Sequence, residues 1–178
     1  MAILPIRLFP DPVLREPAAV VAIVDDSVRK LIADMAETMK AAPGVGLAAP
    51  QVGVQRRVLV YCTGSEEPLR ALVNAEIVER SGSIVADEGC LSIPELTYPV
   101  ERAERISVRG LDGEGQPVTY QVEDFEARVV QHEVDHLDGV LFLDRIDSEL
   151  RREALRILRE RELDGRTEPL HRRPVPSM

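Results

Sequence analysis

Only two of the 178 residues are cysteine, Cys62 and Cys90, and only three are histidine, His132, His136 and His171. Two cysteines cannot build a disulfide framework, and a reducing compartment keeps both as thiols. No window approaches the roughly 18 uninterrupted apolar residues that a membrane-spanning helix needs, although 44% of the chain is apolar. The opening MAILPIRLFPDP lacks a basic segment followed by a long apolar run, so it does not read as a signal peptide. Cytoplasmic residence follows. Positive charge is scarce, since 22 basic residues face 31 acidic ones for a net charge of −9. That balance argues against broad binding to nucleic acid, and no specific DNA partner is expected. Lysine occurs only as Lys30 and Lys40. From Ser148 onward eight arginines meet six acids, so the C-terminal part is mildly basic and the body carries the acidity. There is no internal repeat.

What is present falls into recognisable segments. The Pro-rich start reads as an extended arm with turns. A helix is expected from an Asp25 or Asp26 cap to about Ala42, because Val28, Leu31, Ile32, Met35 and Met39 recur at helical spacing and Pro43-Gly44 ends the run. After a glycine-bearing loop, RRVLVYC and ALVNAEIVERSG read as strands. ERISVRGLD and QPVTYQVED alternate around DGEG as a hairpin. A second helix is expected from an Asp124 cap to Leu137 with Gly139 just beyond it, and a third begins near Asp147-Ser148. The layout is α+β, with antiparallel or mixed strands around the helix that carries HEVDH and helices at each end. One catalytic domain over residues 1–163 is expected, with 164–178 a disordered tail.

QHEVDHLDG, residues 131–139, contains the H-E-x-x-H spacing of a helical metal site. Phe125, Val129, His132 and His136 share one helical face, so two imidazoles can hold one divalent ion. Glu133 is turned by about 100° from His132 and can reach a metal-activated water without being a ligand. The alternative is an accidental i, i+4 pair on a surface helix, which the scarcity of histidine and the apolar flanks make remote. The third ligand is less plain. Phe142 occupies the place of the third histidine in the extended H-E-x-x-H-x-x-G-x-x-H pattern. Glu153 and Glu160 lie in an Arg/Glu-patterned helix that reads as a solvated face, and His171 lies in the tail. Upstream, DEGCLSIPE offers Cys90 on a short irregular strand; it either completes a Cys-His₂ set with an open fourth position or is a buried free thiol. Cys62, inside VLVYC, reads as a core cysteine.

GVGLAAPQ (44–51), EGCLS (88–92) and QHEVDH (131–136), in that order and spacing, resemble the three motifs of the peptide deformylases. The resemblance spans roughly residues 3 to 150. It implies a metal-dependent hydrolase that removes the formyl group from the N-terminal formyl-methionine of new polypeptides and releases formate. By the same resemblance Cys90, His132 and His136 bind the metal and Glu133 is the general base. The Gln51 side-chain amide and the Leu91 backbone N–H then donate to the formyl oxygen. Fe2+ is the ion implied, and Zn2+, Ni2+ or Co2+ can fill the same site, because imidazole and thiolate accept several of these ions.

The methionine side chain needs an apolar slot, for which Val45, Phe125 and Val129 are the candidates, although core packing would equally explain each. Gly46 would let a peptide backbone approach closely, so that the loop could pair with substrate like an added strand. Arg128 either points to solvent or lines the pocket mouth. Two other readings compete. One is a metallopeptidase of another kind. The other is a non-catalytic relative that binds nascent chains or ribosomes, against which stand the intact Glu133, Gln51 and ligand set. The Arg-bearing C-terminal helix could dock on the ribosome surface, though its near-balanced charge favours ordinary solvation.

Overall fold

Asp25 starts the first helix as its cap, its carboxylate accepting the Val28 backbone N–H at 3.0 Å. That helix, α1 (Asp26–Ala41), turns Val28, Met35 and Met39 inward, each no more than 1% exposed, and ends before Pro43 as expected. The computed structural model describes residues 2–64 and 67–164. Strands β1 (Gly46–Ala48), β2 (Val58–Tyr61) and β3 (Arg70–Ser81) follow, then β4 (Ile84–Cys90), β5 (Ile93–Arg102), β6 (Arg105–Leu111) and β7 (Pro117–Glu123). Helices α2 (Asp124–Leu137) and α3 (Ser148–Leu163) are the last elements among the described residues. The fold is α+β, and every ladder between strands is antiparallel.

Five strands form one sheet in the order β1-β2-β3-β6-β7, while β4 and β5 form a separate two-stranded ribbon. The β6–β7 hairpin turns over 112–116, with Gly115 at φ 82 and the Asp112 carboxylate accepting the Glu114 and Gln116 N–H groups. The expected loop at Gly46 is instead a three-residue edge strand, too short to show alternation. The short irregular strand expected around Cys90 is also corrected. Two longer strands meet there, hidden in the sequence by Pro94 and Pro99, residues that ordinarily argue against a paired strand. Along β5, Ile93, Leu96, Tyr98, Val100 and Arg102 face inward.

Helix α2 starts differently from expectation. Glu123 stands at the cap position without a side-chain bond, and Asp124 is the first helical residue, at φ 49. The reason is that β7 runs into α2 with no intervening loop. The Asp124 N–H is taken by the Glu104 carbonyl at 2.8 Å, and the whole change of direction falls on one residue. All of residues 129–137 are buried. Val130, Val134 and Leu137 pack onto the sheet with Leu59, Leu72 and Val108, and α1 covers β1 and β2 in a second apolar cluster. A third joins Ile93, Leu96 and Tyr98 of β5 to Leu141, Phe142 and Leu143 and to Ala154 and Leu158 of α3. Asp147 caps α3 as expected, accepting the Glu149 N–H at 2.7 Å. Asp164 is the C-cap of α3, while residues 165–178, with His171 and nearly all of the expected tail, lie outside the described residues.

Gly139 ends α2 at φ 72, where a Cβ would stand 2.5 Å from the Arg15 carbonyl oxygen. Both the left-handed backbone and the close approach of the N-terminal arm require glycine here. Gly139→Ala is expected to destabilise by about 2 kcal/mol. In a chain of this size that lowers Tm by roughly 4–8 °C, readable by differential scanning fluorimetry.

Candidate metal centre and active site

The i, i+4 spacing on α2 sets the His132 and His136 rings side by side, with centroids 5.0 Å apart and planes at 75°. The turn between β4 and β5 brings Cys90 to them, its Sγ 3.2 Å from His136 Nε2. One ligand atom from each of Cys90, His132 and His136 lies within 4.8 Å of the others. The His132 Nδ1 is 3.0 Å from the Glu88 carboxylate, which leaves its Nε2 for the shared point. Phe142, the residue standing where an extended protease pattern has its third histidine, stacks under the His132 ring at 6.1 Å. Glu153 and Glu160 sit exposed on α3. Cys62 is half-buried rather than fully buried, and its thiol donates to the Gly64 and Glu67 carbonyls away from this cluster.

A divalent ion fits these residues. A thiol and two imidazoles converge in a buried place, and the His136 Nδ1 and Glu133 Oε2 atoms beside them are buried without a protein partner. Burial lifts the Glu133 carboxyl to about 7 against the nearby His132, which pulls the other way. Burial holds His136 well below its usual value, which favours the neutral imidazole that a metal requires. Burial would raise Glu88 too, yet its hydrogen bonds with His132 and Arg102 hold it down at about 2, so it stays ionised.

An open pocket of ≈ 380 Å³ leads to this cluster. Val45, Gly46, Phe125 and Val129, the residues expected to meet substrate, all line it, together with Gln51, Leu91 and Glu133. Val45 and Phe125 are 41% and 47% exposed, so core packing does not account for them. Gly46 has a second reason to be glycine, because a Cβ there would come within 2.8 Å of the Glu133 carboxyl carbon. Gln51, in a short 3-10 turn after β1, is fixed at both ends. Its Oε1 accepts the Ala48 N–H at 2.8 Å, and its Nε2 donates to Ser92 Oγ at 3.2 Å and toward Cys90 Sγ at 3.6 Å. Arg128 lines the pocket rather than pointing to solvent. It donates to the Asp87 carbonyl at 2.6 Å and lies 4.0 Å from Glu88.

Sequence reasoning missed the charged support behind the histidines. The Arg102 guanidinium bonds both Glu88 oxygens, at 2.9 and 3.0 Å, and Asp135 at 2.6 Å. Arg145 closes on the other side of Asp135 at 2.7 and 3.1 Å. The signal was the inward register of β5, which aims Arg102 into the core and so demands partners. Arg102→Met removes the cation shared by two buried carboxylates, leaving Asp135 to Arg145 and Glu88 to His132 and the more distant Arg128. It is expected to cost about 3–5 kcal/mol by denaturant unfolding, and to weaken metal affinity by about 10–100-fold in a chelator competition, through loss of the Glu88–His132 orientation.

An α+β fold that presents a Cys-His-His set and a buried glutamate on an H-E-x-x-H helix defines a metal-dependent hydrolase. The polypeptide deformylase family model matches residues 3–152. The chain is 50% identical to a peptide deformylase of Acidothermus cellulolyticus over 99% of this chain and 97% of the relative. It is 54% identical to that of Alkalilimnicola ehrlichii over 88% of each. The crystal structure of a peptide deformylase from Legionella pneumophila superposes with a TM-score of 0.87 at 40% identity, covering 94% of this chain and all of the other. That of Ehrlichia chaffeensis in complex with actinonin gives 0.87 at 37% identity over 91% and 99%. The chain belongs to the polypeptide deformylase family. Its activity is the hydrolytic removal of the N-formyl group from the formyl-methionine of newly made polypeptides. Among the described residues no helix is long and apolar enough to cross a membrane.

Proposed function

We propose that Cys90, His132 and His136 hold one divalent ion and that Glu133 is the general base of deformylation, within one catalytic domain over residues 1–163. The observation that carries this reading is the convergence of three ligand-type side chains on one point, beside a buried carboxylate poised at about 7. A bound divalent ion supplies Lewis acidity toward water and toward the formyl oxygen. Glu133 takes a proton from the attacking water and returns it to the departing amine nitrogen, since a group near neutral pKa serves as both base and acid. The water oxygen bonds to the formyl carbon, the C–N bond breaks, and formate leaves.

Charge gathers on the formyl oxygen during attack, and Gln51 Nε2 with the Leu91 backbone N–H are the proposed donors to it. The Gln51 amide is preset by Ala48 and Ser92, and its long contact to the Cys90 sulfur is the one exchanged for substrate. Val45, Phe125 and Val129 take the methionine side chain, with Gly46 admitting the substrate backbone. The substrates are formyl-methionyl chains newly made in the cytoplasm. Fe2+ is the native ion in this reading, with Zn2+, Ni2+ and Co2+ able to replace it in a preparation.

Glu133→Ala is expected to retain metal and to lose about 10²–10⁴ in kcat. Gln51→Ala is expected to lose about 10²–10³. Cys90→Ala should lower the metal content of the purified protein, and unchanged content would remove Cys90 from the ligand set. A formate-release assay on a formyl-Met peptide, paired with anaerobic elemental analysis, tests the whole reading. A thiolate beside iron oxidises in air, so equal activity from aerobic and anaerobic preparations would count against iron.

A further inference from the structure

The ribbon of β4 and β5 breaks its register beside the pocket. Gly89 pairs with Thr97, but the next residue, Cys90, pairs with Ile93. Residues 94–96 are therefore thrown out of the ladder as a bulge between a metal-ligand candidate and the rest of β5. Leu96 drops into the apolar cluster with Ala154 and Leu158 of α3, whereas Pro94 and Glu95 border the pocket. Glu95 sits at φ 65, in a left-handed conformation that costs a non-glycine residue free energy and persists only where surroundings hold it.

One holding group comes from α3. The Arg161 Nη1 donates to the Pro94 carbonyl at 2.7 Å, and its Nη2 lies 3.7 Å from the Glu95 carboxylate. One planar guanidinium thus grips the backbone and the side chain of consecutive bulge residues, a two-point geometry that a lysine reproduces only in part. The Arg161 side chain is 25% exposed, so this contact is partly shielded from solvent. Helix α3 buries only Ala154 and Leu158 in full, which makes Arg161 a principal polar tie between its last turns and the pocket.

We infer that Arg161 is a positioning residue for substrate binding: it latches the Pro94–Glu95 rim, so that affinity for formyl peptides depends on a residue of the C-terminal helix. The inference rests on the deformylase reading of the pocket. Pro94 and Glu95 border the pocket but contribute no side chain to the Cys90–His132–His136 cluster, so the latch acts on binding rather than on the bond-breaking step. Residues after the formyl-methionine are the ones that meet it, which makes the effect grow with peptide length.

Arg161→Ala and Arg161→Lys are compared with the unmodified protein on a formyl-Met dipeptide and a formyl-Met tetrapeptide, with hydrogen exchange followed at the Glu95 and Leu96 amides. The Ala variant is expected to raise KM for the tetrapeptide by about three- to tenfold, the equivalent of one hydrogen bond, with kcat within about twofold. Exchange at the two bulge amides should accelerate while that at Gly89 stays unchanged, and Lys should restore part of both effects. Unchanged KM and unchanged exchange in the Ala variant would overturn the inference. So would loss of metal with a fall in kcat, or faster exchange throughout β4 and β5, since Arg161 would then support the whole ribbon. If the Ala variant does not fold, the Lys variant alone decides by the same KM and exchange readings. Failure of the unmodified protein to release formate would instead reject the deformylase reading.

Discussion

A single guanidinium in the protein interior organises the catalytic half of this molecule. Arg102 is nearly inaccessible, and it bridges Glu88 on the ribbon to Asp135 on α2. Each of those carboxylates stands next to the chemistry: Glu88 faces the His132 ring, and Asp135 is one residue from His136. Three charges buried together cost a great deal to desolvate, and they hold only because every partner is in place. The same bonds lock two otherwise separate elements, the β4–β5 ribbon and the central helix, into one relative position. Cys90 rides on the first and both histidines on the second, so the donor geometry follows from the charge network.

Apolar packing then fixes what the charges cannot. Helix α2 is enclosed on nearly all sides: one side meets the five-stranded sheet, and the other bears Glu133 and the histidines. Enclosure lifts the Glu133 pKa toward neutrality and pushes that of His136 down, so burial favours the states that the proposed proton carrier and the proposed ligand need. Phe142 stacks on His132 from the segment after the helix, giving the ring a second restraint beyond Glu88. Glycine sets the tolerances. Gly46 leaves space for the Glu133 carboxylate, and Gly44 leaves space for Leu91, whose Cδ1 would lie 2.7 Å from a Cβ there.

The helices were legible because each carries both a periodic apolar stripe and local end signals. Asp25, Asp147 and Gly139 all act at the ends where they were expected. The β6–β7 hairpin was legible for a similar reason, since alternation and a DGEG turn are local. The start of α2 was misplaced by one residue, because the bond that replaces a cap comes from Glu104, distant in sequence. The β4–β5 ribbon was largely illegible. Its prolines and its bulge at 94–96 contradict strand signals, and only contacts with α2 and α3 make the pairing worthwhile.

The sequence by itself determined the candidate ligand types, the i, i+4 placement of His132 and His136, the glutamate between them and the glutamine of the 44–51 motif. All of these depend on residue chemistry and on helix pitch, which are local properties. Only the tertiary structure decided that Arg128 lines the pocket, that Arg102 holds Glu88 and Asp135, and that Arg161 reaches the rim from the last helix. Those facts join residues 14 to 67 positions apart, as from Glu88 to Arg102 and from Pro94 to Arg161. Charge pairs of that kind leave no periodic trace in the chain. They exist because burial strips water from each ion and compels it to find a partner wherever the fold brings one.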